Sequence, residues 1–353
     1  MTNGPGTDRP QGESDMTAEL RARTMPAAQA ATMKAVVQEG DGSADVLHVR
    51  NVPRPVLLDD RVLIRVRAAS VNALDWHSVH GGRLLTIAGK VMRQKDQPIR
   101  GVDVAGTIEA VGKDVTGFRA GDEVFGSAIA TFAEYARARQ DRIAIKPATM
   151  SFEEGASMGV AGYTALQGLR DIAQVKPGQR VLVYGAGGGV GTFAVQIAKA
   201  LGAHVTAVTG PRNIELVRGL GPDEVLEHGR DDVARRADRY DVVFDVAATR
   251  SLSDLRRALS PGGILVLVGA DKRGGLAIFT RIIGALVRAR VFKQRVKFFV
   301  AKNELQDLLE LKALVEQGKL RPAIDRTFQL DEAREAVRYV GTGQARAKVV
   351  ITM

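Results

Sequence analysis

Gly185-Ala-Gly-Gly-Gly-Val-Gly191 follows an apolar run, Val181-Leu-Val-Tyr184, and opens a helix-patterned run, Phe193-Ala-Val-Gln-Ile-Ala-Lys-Ala-Leu201. Strand, glycine turn and helix in that order are the context a dinucleotide-binding turn requires. Read as Ala186-x-Gly188-x-x-Gly191, the spacing lets the backbone pass close to a pyrophosphate. It also aims the unsatisfied N–H groups of the helix start, Gly189 and Val190 with them, at that anion. The competing reading makes Gly187 and its neighbours a loose loop of an ordinary α/β protein; the flanking strand and helix favour the nucleotide.

The next strand indicates which nucleotide. His204-Val-Thr-Ala-Val208 is a short β-rich run. It ends where a ribose-binding acid should stand, about twenty residues past the glycines. There the chain reads Thr209-Gly-Pro-Arg-Asn213, with no Asp or Glu. An acid would accept from a free 2′-hydroxyl and repel a 2′-phosphate, whereas Arg212 offers forked donors to that phosphate. The turn favours NADPH over NADH, with Arg212 as clamp and Thr209 and Asn213 beside it. Otherwise Arg212 is a solvated surface residue.

Helices and strands go on alternating around this unit. Upstream, Ser151-Phe-Glu-Glu154 has the capping-box form and opens a helix that the pattern carries to Ile172. Downstream come a helix over 212–219, strands at Glu224–Leu226 and Asp241–Asp245, a helix over 251–259, and a strand at Ile264–Gly269. Val268 and Gly269, at the end of that last strand, count among the coenzyme-binding residues. The alternation predicts a doubly wound parallel sheet. Before Pro147 the rhythm differs. Met33–Val37 and Val46–Val49 read as a hairpin, and Arg61–Arg67 alternates as a half-buried strand does. Short β runs around Val104–Val111, Glu123–Phe125 and Phe132–Ala136, separated by glycines, predict a β-barrel-like domain. Asn303–Gln317 is a periodic helix, and Ala347–Met353 a terminal strand expected to return to the first domain.

With 353 residues the chain suits two medium domains. It has no cysteine, which excludes disulfides, thiolate zinc sites, iron–sulfur clusters and a cysteine nucleophile. Residues 1–32 are polar, rich in Gly, Pro and Ala, and lack the apolar core of a secretory signal. They read as a disordered tail, and a cytoplasmic setting is expected. The net charge of +10 is unevenly spread. Lys272 to Asn303 contains several Lys and Arg and no acid, interleaved with apolar residues. This stretch fits a cap over the coenzyme cleft, or a peripheral membrane contact with anionic lipid. Nucleic acid is disfavoured, because few aromatics are present to stack bases. Arg281 and Arg288 interrupt the most apolar stretch, so no run approaches a membrane span.

With these pieces in order, the chain resembles the medium-chain dehydrogenase/reductase superfamily, within it the zinc-free quinone oxidoreductase-like branch. The resemblance covers Met33 to Met353. Its carriers are Met33–Val37, Ser70-Val-Asn-Ala-Leu-Asp-Trp76, Gly101-Val-Asp-Val-Ala-Gly106, Val111–Phe125, Ala161-Gly-Tyr-Thr-Ala165, the glycine turn and Ala347–Ile351. It implies a GroES-like β-barrel catalytic domain, built from both chain ends, around a Rossmann cofactor domain. The expected division is 1–32 tail, 33–154 catalytic domain, 155–300 NADP-binding domain and 301–353 return to the catalytic domain. A homodimer is implied likewise.

Departures from zinc-dependent relatives set the expected chemistry. Val71-Asn72 stands in place of a cysteine ligand, Gly101-Val102-Asp103 replaces Gly-His-Glu, and the four-cysteine lobe is absent. Catalytic zinc needs three protein ligands, and His77 and His80 alone are more often solvated or hydrogen-bonded than bound to metal. No metal is expected. Without a Lewis acid, quinones and conjugated enones are easier to reduce than simple ketones, because the charge left by hydride delocalises. The expected activity is therefore zinc-independent, NADPH-dependent reduction of a quinone or α,β-unsaturated carbonyl. The alternatives are a zinc-independent NADP-dependent alcohol dehydrogenase and a non-catalytic NADPH-binding, membrane-peripheral protein. By resemblance, Asn72 and Thr164 are the catalytic pair, lying beside the nicotinamide–ribose portion. Asn72 bonding a loop backbone and Thr164 bonding its preceding turn are the plainer roles. Asp75 and Trp76 read as structural. Lys348 either reaches the cleft or is an exposed strand residue. Tyr135 and Tyr163 are candidate acids, with Tyr135 leaning to barrel packing. His228 is a candidate to stack on adenine and Arg230 to add to phosphate binding, or both are surface residues. The branch that reduces enoyl thioesters has a tyrosine where this chain reads Val79-His-Gly-Gly-Arg83, which disfavours that specialisation.

Overall fold

The computed structural model describes residues 31–40, 42–80, 98–236, 239–268 and 295–353. Expectations for the tail up to residue 30, for Gly269 and for the basic stretch 272–294 fall outside those residues.

The N-terminal half is antiparallel. β1 (Thr32–Gln38) and β2 (Leu47–Pro53) form the first hairpin. β3 (Arg61–Val71) alternates buried and more exposed side chains up to Arg67, then is buried throughout from Ala68 to Val71. The change has a cause: Ala69 packs in the barrel core, whereas Ala68 packs in the core that the nucleotide sheet shares. A short helix, α1 (Ala73–Val79), follows, then β4 (Asp103–Val111), β5 (Glu123–Ser127), β6 (Tyr135–Arg139) and β7 (Ile143–Ile145). The run expected as a strand over Phe132–Ala136 is displaced. Its ladder with β3 starts at Tyr135, while Phe132 and Glu134 bond the backbone of β1 at Val36 and Lys34.

Ser151 and Glu154 close the expected capping box at the start of α2 (Phe152–Ser157), with bonds of 3.1 and 2.9 Å. The helix predicted to run on to Ile172 breaks at Met158. A second helix, α3 (Gly159–Gln167), ends in a π-helical turn over Gly168–Ile172. The parallel unit then runs β8 (Arg180–Tyr184), α4 (Gly189–Ala200), β9 (His204–Thr209), α5 (Ile214–Arg218), β10 (Glu224–Glu227), β11 (Tyr240–Asp245), α6 (Leu252–Arg257), β12 (Leu259–Leu267) and β13 (Arg295–Phe298). Pro211 holds Pro211–Asn213 in a 3-10 turn ahead of α5, shortening the helix expected there. The six strands are all parallel, in the order β10-β9-β8-β11-β12-β13. Chain order reverses between β8 and β11, which opens a crevice beyond their carboxyl ends.

The chain then returns. α7 (Leu305–Glu316) packs on α3, where a Cβ on Gly162 would lie 2.8 Å from Leu311. β14 (Ile324–Gln329), α8 (Ala333–Thr342) and β15 (Lys348–Thr352) follow. β15 pairs antiparallel with β3, giving a seven-stranded sheet of order β14-β15-β3-β4-β5-β7, with β6 on β3. The last strand thus pairs with the barrel strand β3, though Lys348 to Ile351 are all buried and do not alternate as expected. No helix among the described residues is long and apolar enough to cross a membrane.

Candidate active site

The glycine turn sits at the crevice. Gly185 takes a left-handed φ of 94° that turns the chain out of β8, and its N–H and that of Ala186 both donate to Val208. A Cβ on Gly191 would stand 2.1 Å from the Gly185 carbonyl oxygen, so glycine lets α4 pack directly on the turn. Gly187 lies against Thr209 and Asn213, whose polar atoms are 2.6 and 2.5 Å from where its Cβ would sit. Ala186 to Gly191, Thr209 and Asn213 therefore meet in one place. No side chain caps α4 at Gly188, and the N–H groups of Val190 and Gly191 have no acceptor among the described residues, while Gly189 follows the bridge that Gly188 makes with Ala347. Such a helix start attracts an anion.

The outer residues are more dispersed. Arg212 is exposed and has no hydrogen-bond or ion-pair partner among the described residues. Arg230 is exposed as well. Val268 closes on the neighbouring strand, its N–H donating to Asp245 at 3.0 Å. His228 is exposed but not loose: its Nδ1 lies 2.6 Å from the Tyr184 hydroxyl, to which Arg250 also donates at 3.2 Å. Arg250 is held in turn by Asp232 at 3.4 Å. Burial raises the Tyr184 hydroxyl above its ordinary range.

Below the turn lies a buried polar cluster joining the two sheets. Ala347 adopts a left-handed φ of 57° and donates its N–H to the Gly187 carbonyl at 2.8 Å. Lys348 follows, and its stem passes Gly189, where a Cβ would stand 3.2 Å from the lysine Cδ. Far from being an exposed strand lysine, Lys348 is only 3% accessible. Its Nζ donates to Asn72 Oδ1 at 2.7 Å and pairs with Asp103 at 3.5 Å. Asp103 Oδ2 also accepts from Asn72 Nδ2 at 2.9 Å and from Ser70 at 2.8 Å. Its Oδ1 accepts the N–H of Val160 at 2.9 Å. That last bond explains the break at Met158: α3 has no cap of its own, and Asp103 caps it from another strand. Gly159 is required there, because a Cβ would lie 2.1 Å from Asp103 Oδ1. Burial lowers the Lys348 ammonium from its ordinary value, against the opposing pull of Asp103 and Asp75. Burial likewise pushes the Asp75 carboxyl up to about 7, and the Asp103 charge adds to the rise.

The other candidates sort by their contacts. Thr164, half-buried on α3, donates its hydroxyl to the preceding turn at Val160, 2.7 Å away. Tyr163 is fully buried with its hydroxyl unpartnered, and burial raises that hydroxyl, so it is no accessible acid. Tyr135 packs in the barrel, bonded by Arg65 at 3.2 Å and stacked under Arg54. Trp76 meets His77 edge-on and His80 at a tilt, and Gly341 leaves room for its indole. The sequence reading passed over Asp103 and Gly159.

The residues do not fit a zinc ion. No three His, Cys, Asp or Glu among the described residues gather so as to hold a metal. Asp103 is occupied by four donors, one of them an ammonium where a cation would have to sit. They do fit a pyridine dinucleotide, whose pyrophosphate would meet the free N–H groups at the start of α4.

The sequence matches the family described as alcohol dehydrogenase GroES-like domain over residues 58–201, and that described as zinc-binding dehydrogenase over 220–351. It is 31% identical to 2-methylene-furan-3-one reductase of Solanum lycopersicum, over 90% of this chain and 79% of that one. It is 33% identical to quinone oxidoreductase of Sus scrofa, over 84% and 90% respectively. The fold superposes on the quinone oxidoreductase of Coxiella burnetii with a TM-score of 0.80 at 30% identity, covering 92% of this chain and 100% of that one. A GroES-like barrel joined to a parallel nucleotide sheet at this cluster defines a nicotinamide-dependent oxidoreductase. The chain belongs to the medium-chain dehydrogenase/reductase superfamily, in its quinone oxidoreductase-like branch.

Proposed function

We propose that this chain is a zinc-independent, NADPH-dependent reductase of quinones or α,β-unsaturated carbonyls. The observation that carries the reading is the buried Asn72–Asp103–Lys348 cluster, an amide held within an ion pair whose carboxylate is already taken up by an ammonium. Bound NADPH supplies a hydride. The N–H groups of Val190 and Gly191 would hold its pyrophosphate, and Arg212 its 2′-phosphate. Asn72, with Thr164 on the facing helix, would orient the nicotinamide end. Positioning of this kind supplies roughly several kcal/mol of barrier reduction. With no Lewis acid, the acceptor must delocalise the incoming charge itself, as quinones and enones do and simple ketones do not. Among the similar proteins, one is named as a furanone reductase and another as a quinone oxidoreductase, which supports these acceptor classes.

NADPH oxidation by purified protein across a panel of quinones and enones, with and without chelator, tests the proposal. Turnover with at least one class, indifferent to chelator and faster with NADPH than NADH, is expected. Chelator-sensitive turnover, or steady alcohol oxidation with NADP⁺ and no reduction of the panel, would overturn it.

A further inference from the structure

We infer that Lys348 and Asp103 are positioning residues that fix the Asn72 amide in one of its two orientations at the coenzyme site. The inference rests on the reductase reading, in which Asn72 meets the coenzyme or acceptor. An ammonium can only donate and a carboxylate can only accept. Between them lies an amide whose two ends differ. Lys348 Nζ stands 2.7 Å from one end and Asp103 Oδ2 2.9 Å from the other, so chemistry alone assigns the first as oxygen and the second as nitrogen. The flipped amide would set NH₂ against the ammonium and C=O against the carboxylate, losing both bonds.

Burial makes the role specific. Asp103 is 0% accessible, Lys348 3% and Asn72 8%, so the two charges lie behind the amide and act on a ligand through it. Once both bonds are made, Asn72 retains one N–H, which can meet an acceptor such as a carboxamide or hydroxyl oxygen. The arrangement is anchored to the nucleotide turn itself. Ala347 is bonded to Gly187, and the Lys348 stem runs past Gly189, so the turn that would seat a pyrophosphate and the amide that would meet the nicotinamide end share one strand. Asp75, Asp103 and Arg100 are the charged groups that bear on this cluster.

A mutant cycle on the full chain, Lys348→Met, Asn72→Ala and their combination, tests the inference. NADPH affinity is read by fluorescence of Trp76, the single tryptophan, separately from turnover. Lys348→Met is expected to weaken NADPH binding and lower kcat together by about tenfold, and to add nothing in the Asn72→Ala background. Lys348→Gln, which keeps a donor to Oδ1 without the charge, should recover most of the loss; if Lys348→Met does not fold, a folded Lys348→Gln protein that loses as much NADPH affinity as Asn72→Ala overturns the role. Losses that multiply between positions 72 and 348, or a Lys348→Met protein indistinguishable from the parent, would overturn the role. Unmodified protein that binds NADPH but reduces no acceptor would count against the reductase reading alone.

Discussion

Asp75 accepts the backbone N–H of Asn72 at 2.8 Å through one carboxylate oxygen, while its other oxygen is buried without a partner. An ionised carboxylate in that position is poorly satisfied, and burial pushes its pKa up to about 7 from 3.8. The folded state therefore holds the proton more tightly than the unfolded chain does. The stabilisation is complete below the ordinary carboxylate value, declines as pH rises toward about 7, and levels off beyond, amounting to roughly a few kcal/mol. Asp75→Asn keeps an acceptor for Asn72 and removes the charge. Its melting temperature should vary less with pH across this window, and above neutrality should match or exceed that of the parent. An unaltered pH slope in the variant would dismiss Asp75 as the source.

Two glycines of one turn should respond differently to the same methyl group. At Gly191 a Cβ meets the Gly185 carbonyl oxygen at 2.1 Å and Ala186 at 2.8 Å, all backbone, so α4 must move away from β8. Gly191→Ala is expected to cost roughly 1–3 kcal/mol of stability. At Gly188 the nearest atom is 3.6 Å away, an ordinary contact, and φ is −89°. Gly188→Ala should melt with the parent yet bind NADPH at least tenfold more weakly, because the added methyl occupies the pyrophosphate's approach. Thermal melts paired with fluorescence titrations check both. Equal NADPH affinity in Gly188→Ala and the parent would move the phosphate site elsewhere.

Arg212 stands exposed in the 3-10 turn after β9, with no carboxylate paired to it among the described residues. A charge-assisted bond to a 2′-phosphate is worth about 1.5–3 kcal/mol, on the order of 10- to 100-fold in affinity. Arg212→Ala should lower kcat/KM with NADPH by that factor and leave NADH nearly unchanged. Arg212→Glu should go further and reverse the preference. If both coenzymes lose equally, the side chain is not reading the phosphate.

These residues differ in how far the sequence disclosed them. The turn at Gly185–Gly191 was legible because strand, glycines and helix are contiguous, and the alternation of Arg61–Arg67 placed β3 for the same local reason. The return of β15 to the barrel came from family resemblance, for Lys348 to Ile351 are all buried and show no alternation. The break at Met158 was not, because α3 is capped by Asp103 from 57 positions away. Nor was the burial of Lys348, whose partner Asn72 lies 276 positions off and whose passage depends on a glycine in a different element. Periodicity reports which face of an element is apolar. It carries no information on which charge a fold brings to that face.

The pair Tyr184 and His228 decides whether the far end of the nucleotide is gripped by a prepared side chain. Tyr184 ends β8 immediately before the glycine turn, and its hydroxyl is shared by His228 at 2.6 Å and Arg250 at 3.2 Å. The imidazole crosses the phenol edge-on, with ring centroids 5.8 Å apart, so one atom of the exposed ring is pinned and its face is set. If that face receives the adenine, Tyr184→Phe releases the ring and weakens NADPH binding about three- to tenfold, while stability falls by roughly the 1 kcal/mol of one hydrogen bond. His228→Ala should produce a loss of the same size, and combining the two should add little, since both act on one ring. Adenosine 2′,5′-bisphosphate, which lacks the nicotinamide half, should register the same losses in titration. A fragment that binds all three variants as it binds the parent would leave His228 a surface residue held by a tyrosine for structural reasons alone.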